Sequence, residues 1–298
     1  MSTLSSEVAA PPVAVEPPAF EAHETVIRPR RGWIAVDWQE LWRHRELLYF
    51  LIWRDVKVRY KQAVLGIAWA VLAPVITVML FTFIFGRALS ANPNPDPNMP
   101  PMSLYIFAAM IPWLFVSQAF SQGGLSLVNQ QHLLSKIYLP RLYIPTASIG
   151  SGLVDLFISF AIFFIWMFCK QYTPSWQIIF LPLLILLTVT VSVGIASLLS
   201  ALTVTYRDLR FLIPFITQLG MWLSFVPLPV DQIIPNPKHQ WILMFNPLFG
   251  IFDAYRSAIF GLPWRPWHLS SAIILSIITL LLGLFYFRKT ERRFADIA

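Results

Sequence analysis

Cysteine is nearly absent: Cys169 is the only one in 298 residues. That excludes a disulfide framework and any zinc or iron–sulfur site built from several thiolates. Charge is scarce as well. Asp, Glu, Lys and Arg make up 12% of the chain, about half the ~25% of a soluble domain, which is too little to cover the surface in water. The five histidines, His23, His44, His132, His239 and His268, stand at no metal-ligand spacing. No H-E-x-x-H, no G-x-S-x-G and no clustered carboxylate pair occurs, which argues against a membrane hydrolase or transferase. The phosphate loop G-x-x-x-x-G-K-S/T is missing too, so any ATP that drives this chain is bound by another polypeptide. What the chain has in plenty is apolar residues: 57% of the total, with a mean hydropathy of +0.63. This is an integral membrane protein. Its net charge of +7 then reads as basic flanks beside apolar runs rather than a nucleic-acid surface.

The runs themselves set the architecture. Lys61 and Arg87 bracket an uncharged stretch in which Leu65–Phe85 gives ~31 Å of helix, the thickness of the hydrocarbon core. Further spans are expected at 104–120, 143–168, 177–204, 211–226 and 269–287, the fifth crowded at its ends by Pro214 and Pro227. The stretch 242–262 is apolar but interrupted by Pro247, Asp253 and Arg256, and reads as re-entrant or interfacial helices. With both termini inside, 17 of the 22 Lys and Arg residues are cytoplasmic, and only Arg87, Lys170, Lys238, Arg256 and Arg265 are external. The expected fold is therefore an all-α membrane protein of six transmembrane helices with both termini cytoplasmic. No internal repeat is evident, so a pore is expected to need two copies of the chain.

Three segments lie before the first span or between spans. Residues 1–27 hold four prolines, four glutamates and no Lys or Arg, a composition that cannot bury a core and predicts a disordered cytoplasmic tail. The region 28–62 is basic and amphipathic. Asp37, with Glu40 three residues later, forms a capping-box pattern that opens a helix at Trp38, and Trp38, Leu41, Trp42, Leu48, Tyr49 and Ile52 share a face, predicting a helix in the headgroup plane or packed on the protein surface. The six-span domain covers 63–298. Its first outer connector is stiffened by Pro93, Pro95, Pro97, Pro100 and Pro101.

Asp155 is the one acid inside a span. A carboxylate there costs ~3 kcal/mol unless paired or wet, so it either faces a channel or helix interface, or bonds locally to Ser151 or Ser159. Aromatic residues are 15% of the chain. Phe81, Phe85, Tyr105, Trp113, Trp222 and Phe225 sit in or at the ends of spans. They form an interfacial belt or line a path on which sugar faces stack.

Several motifs resemble those of ABC-transporter permeases that export polysaccharides, most of all the O-antigen exporter permeases, with capsule and teichoic-acid permeases next. Leu51-Ile52-Trp53-Arg54-Asp55-Val56-Lys57-Val58-Arg59-Tyr60-Lys61-Gln62, followed by Leu65-Gly66 and Trp69, is similar to the approach to their first span. Asn129–Arg141 resembles the cytoplasmic loop between their second and third spans, and Tyr206-Arg207-Asp208 the inner loop before the fifth. Asn246-Pro247 and Tyr255-Arg256 resemble their outer re-entrant helices. The likeness runs from about residue 30 to the C-terminus.

The resemblance implies a non-enzymatic transporter subunit in the bacterial inner membrane. It implies a homodimer of this chain with two copies of a cytoplasmic ATPase that carries the ATP and Mg, no cofactor on this chain, and no nucleic-acid partner. The cargo would be a glycan on undecaprenyl pyrophosphate. Leu133, Leu134, Lys136, Tyr138, Pro140 and Arg141 would form the segment that couples to the ATPase. Asn246, Pro247, Tyr255 and Arg256 would gate the outer mouth. Arg54, Lys57, Arg59 and Lys61 would form a basic vestibule for the lipid pyrophosphate, or bind anionic membrane lipid. A same-fold exporter of a drug-like or lipid molecule, and a non-transporting membrane anchor, are the competing readings.

Overall fold

Residues 42–61, 66–90, 99–131, 139–236 and 238–291 are described by the structure, a computed structural model. The tail 1–27, the capping box before Trp38, most of the proline-rich connector and residues 132–138 of the coupling segment lie outside those residues. Every regular element among the described residues is helical.

Among the described residues the first long helices are α1 (Arg45–Lys61) and α2 (Gly66–Ser90). Next come α3 (Met102–Gln118), a single π turn (Ala119–Gly123) and α4 (Gly124–Asn129), which run on as one 28-residue helix. At ~42 Å this helix exceeds the ~30 Å hydrocarbon core. The polar pair Ser121 and Gln122, where the span was expected to end, is absorbed by the π turn. A π turn shifts the carbonyl register, and the hydroxyl of Thr203 from a neighbouring helix donates to the Gly124 carbonyl at 2.7 Å. Helix α5 is Tyr143–Cys169, and a 3-10 turn at Trp176–Phe180 leads into α6 (Leu181–Thr205). Four stretches are therefore long and apolar enough to cross a membrane: Met102–Asn129, Tyr143–Cys169, Trp176–Thr205 and Pro266–Glu291. Val71–Gly86 and Leu209–Leu223 are shorter apolar helices.

The expected fifth span is α7 (Leu209–Leu223), which contains Pro214 without breaking there. It ends three residues early, because Phe225 adopts a positive φ of 51° and turns the chain. After a short α8 (Val230–Ile233) and a 3-10 turn (Gln240–Phe245) comes α9 (Pro247–Phe260). Its start is built by Asn246, whose side chain accepts from the amides of Leu248 and Phe249, with Pro247 at the position that needs no donor. Gly261, at φ 73°, stops it. Fourteen residues make ~21 Å, too short to cross. α9 is nonetheless buried along almost its whole length.

The last helix is α10 (Pro266–Glu291). Gly194 on α6 and Gly283 on α10 face one another so closely that a Cβ on either would strike the other helix's backbone. Small residues at such a crossing let membrane helices approach and gain dispersion contacts. Gly250 does the same for α9, against the His268 carbonyl and Ala272.

Helix α1 departs from the expected single amphipathic face. It packs lengthwise on α5: Leu47, Leu48 and Leu51 join Tyr143 and Ile144, and Ile52 fills the space above Gly150. Trp42, Tyr49 and Trp53 instead point away, 71%, 62% and 47% exposed. Rings held clear of the protein on a helix beside spans suit a bilayer interface.

Candidate functional site

The contact between α1 and α5 ends in a polar network. Asp155 accepts from the Arg59 guanidinium on one oxygen and from the Tyr60 hydroxyl on the other. Gln118, at the end of α3, donates to Asp155 at 2.9 Å, and Gly152 leaves the room in which its amide lies. The other Arg59 nitrogen donates to Gln122 Oε1 at 2.5 Å and to Ser151 Oγ at 3.5 Å. Burial and the bond to Asp155 push the Tyr60 phenol well above its ordinary pKa, so it stays a donor. The local bond expected from Ser151 or Ser159 to Asp155 does not form; Ser151 donates to the Ser148 carbonyl at 2.8 Å. A long-range ion pair won because a carboxylate in an apolar bundle needs a full opposite charge.

A cavity of about 410 Å³ opens beside this network, lined by Asp55, Arg59, Gln122, Asn129, Gln130 and Ser148 among others. Of the four expected vestibule cations, Arg59 is held by Asp155, and Arg54 by Asp55 at 2.8 Å and Gln130 at 3.0 Å. Lys57 lies over the Trp53 ring, 5.3 Å from its centre, and Lys61 is exposed. Two of the four are thus paired with carboxylates. Gln118, Gln122 and Gln130 were missed in the sequence. For Gln118 and Gln122 the signal was there: amides at i and i+4 at the end of an apolar run.

The four residues expected at the outer gate sit at the other end of the bundle. Asn246 ties α9 to the end of α7, donating to the Leu223 carbonyl at 3.1 Å and Ser224 Oγ at 3.0 Å. Pro247 opens α9. Tyr255 is fully buried, stacks on Phe160 and shares a 3.1 Å hydrogen bond with Thr188. Arg256, 1% exposed, donates to the carbonyls of Phe225 at 3.2 Å and Val226 at 2.5 Å, and lies 3.9 Å from the centre of the Tyr105 ring. Asn246 and Arg256 thus pin the turn after α7.

The expected channel aromatics separate into two groups. Phe81, Phe85 and Trp222 form a cluster between α2 and α7 with ring centres 5.9–6.1 Å apart. Tyr105 and Trp113, each 4% exposed, are core residues of the protomer, and Phe225 packs edge-on against Phe249. Tyr105 and Trp113 do not fit a path wall, because the cation of Arg256 and the ring of Phe252 already occupy their faces and edges. Of the coupling segment, Leu133, Leu134, Lys136 and Tyr138 lie outside the described residues. The Pro140 carbonyl accepts from the Tyr143 amide at 2.9 Å at the start of α5, and Arg141 donates to the Glu291 carbonyl.

Long apolar helices, a buried short helix at one end and a polar cavity at the other make up a membrane-type helical bundle. The chain belongs to the ABC-2 type transporter family, whose pattern it matches over residues 46–260. It is 24% identical over 222 residues to the O-antigen export system permease protein RfbA of Myxococcus xanthus, covering 74% of this chain and 83% of the relative. It is 25% identical over 256 residues to the protein of the same name from Klebsiella pneumoniae, 85% and 95% of the two chains. The polysialic acid transport protein KpsM of Escherichia coli is 24% identical over 253 residues, 81% and 92%.

Proposed function

We propose that this chain is the transmembrane subunit of an ATP-driven exporter that carries a lipid-linked polysaccharide across the bacterial inner membrane. The observation that carries this reading is similarity along 85% of the chain to an O-antigen export permease. In this reading α2 and α7 complete six spans, the end with Arg141, Arg207 and Arg288 faces the cytoplasm, and α9 faces outward. Two copies enclose the path. Two ATPase subunits hold the ATP and Mg, since this chain carries no phosphate loop. Ion coupling is disfavoured because Asp155, the one acid within a span, is already paired with Arg59. Residues 129–141 would meet the ATPase, with Pro140 passing their motion to α5. The cargo lipid would be undecaprenyl pyrophosphate. Deleting the gene in its own bacterium tests the reading: surface polysaccharide should fall at least tenfold while lipid-linked glycan accumulates inside. Unchanged surface polysaccharide in the deletion strain contradicts it.

A further inference from the structure

The cavity beside Arg59 has walls whose charges are already balanced. Arg59 is paired with Asp155 and Arg54 with Asp55. Its remaining polar groups divide by hydrogen-bonding role. Ser126, Ser148 and Ser151 donate their protons to the carbonyls of Gly123, Pro145 and Ser148 at 2.6–2.8 Å, which leaves oxygen lone pairs for the cavity. The side-chain oxygens of Gln122 and Gln130 accept from Arg59 and Arg54. That orients both amide nitrogens as donors, and among the described residues neither they nor the Asn129 amide has a protein acceptor. Val58 adds an apolar patch to the lining.

A phosphate offers acceptors only. In this cavity it would meet serine lone pairs, and among the described lining residues the one cation, Arg59, is already paired with Asp155. A sugar ring matches both sets of wall groups, because each hydroxyl donates and accepts, and its C–H face suits Val58. The volume of about 410 Å³ falls in the ~300–1,000 Å³ range of small-molecule sites. We propose that this cavity binds an uncharged sugar residue of the cargo through the amides of Gln122, Asn129 and Gln130 and the hydroxyls of Ser126 and Ser148. The proposal rests on the polysaccharide-export reading and replaces the basic pyrophosphate vestibule with a neutral sugar subsite.

The test uses the full permease–ATPase complex in lipid nanodiscs and two tritiated probes, undecaprenyl pyrophosphate and the same lipid carrying one N-acetylglucosamine. The wild type should hold the sugar-bearing lipid about tenfold more tightly than the bare one, an increment of one or two hydrogen bonds. Gln122→Leu and Gln130→Leu should each remove most of that difference and leave bare-lipid binding unchanged. Should either fail to assemble with its ATPase, Asn129→Leu supplies the same measurement. An assembled variant that loses both lipids equally assigns the cavity to the phosphate and overturns the proposal. Equal wild-type affinity for the two lipids also overturns it and leaves the export reading standing. A wild type that binds neither lipid removes the export reading and the proposal together.

Discussion

Gly283→Leu should abolish the folded permease. A Cβ at 283 would run into the Gly194 carbonyl, and one at 194 into the backbone of Thr279 and Leu280. Backbone cannot swing aside as a flexible side chain does, so the helices must separate. Overpacking costs ~1–3 kcal/mol where a core can adjust, and a leucine against backbone belongs at or above the upper end. Gly194→Ala should produce a smaller loss in the same direction. Gly86→Ala is the control: among the described residues its added methyl would meet the Thr82 methyl at 3.9 Å, an ordinary contact, and alanine is the better helix former by up to about 1 kcal/mol. Thermal unfolding of the detergent-solubilised protein, followed by size-exclusion, should show Gly283→Leu largely aggregated and Gly86→Ala unchanged or more stable. Equal behaviour of the two glycine sites would contradict a backbone-to-backbone crossing.

Asp155→Ala is the second large effect. It leaves the Arg59 cation in an apolar bundle with only amide and hydroxyl acceptors from Gln118, Gln122 and Ser151. Breaking a buried pair from one side costs ~3–5 kcal/mol. The cost here belongs near ~3 kcal/mol, since Arg59 and Asp155 keep 25% and 20% of their side-chain surface exposed. Arg59→Leu combined with Asp155→Leu should recover most of it, because neither charge is then left alone. The expected signature is a strongly lowered melting temperature in each single variant and near-normal stability in the pair. Additive losses in the double variant would show that the two side chains do not act as a unit.

The helices were legible because hydropathy is local. Leu65–Phe85 needs no partner to declare itself, and Pro247, Asp253 and Arg256 announced that the segment after residue 242 does not cross. Partners were not legible. Asp155 is 96 residues from Arg59, and nothing at i±4 reveals which distant charge will meet it. The carbonyls that hold Arg256 become available only because Phe225 turns the chain. The helix runs nine residues past Phe120 for a different reason. Polar residues such as Ser121 and Gln122 do not end it, because a π turn carries the backbone through them into α4. Tyr105 and Trp113 looked like path residues because ring content alone does not say which side of a span faces the core.

Transport itself tests the central claim most directly. The permease and its ATPase are reconstituted into proteoliposomes with the ATPase outward and lipid-linked glycan in the outer leaflet. The measured quantity is the fraction of glycan protected from an added glycan-cleaving enzyme. The account predicts that protection rises with time only when ATP and Mg are present, and does not rise when the ATPase is catalytically dead. Glycan that stays fully cleavable while ATP is hydrolysed, or that becomes protected without ATP, would contradict it.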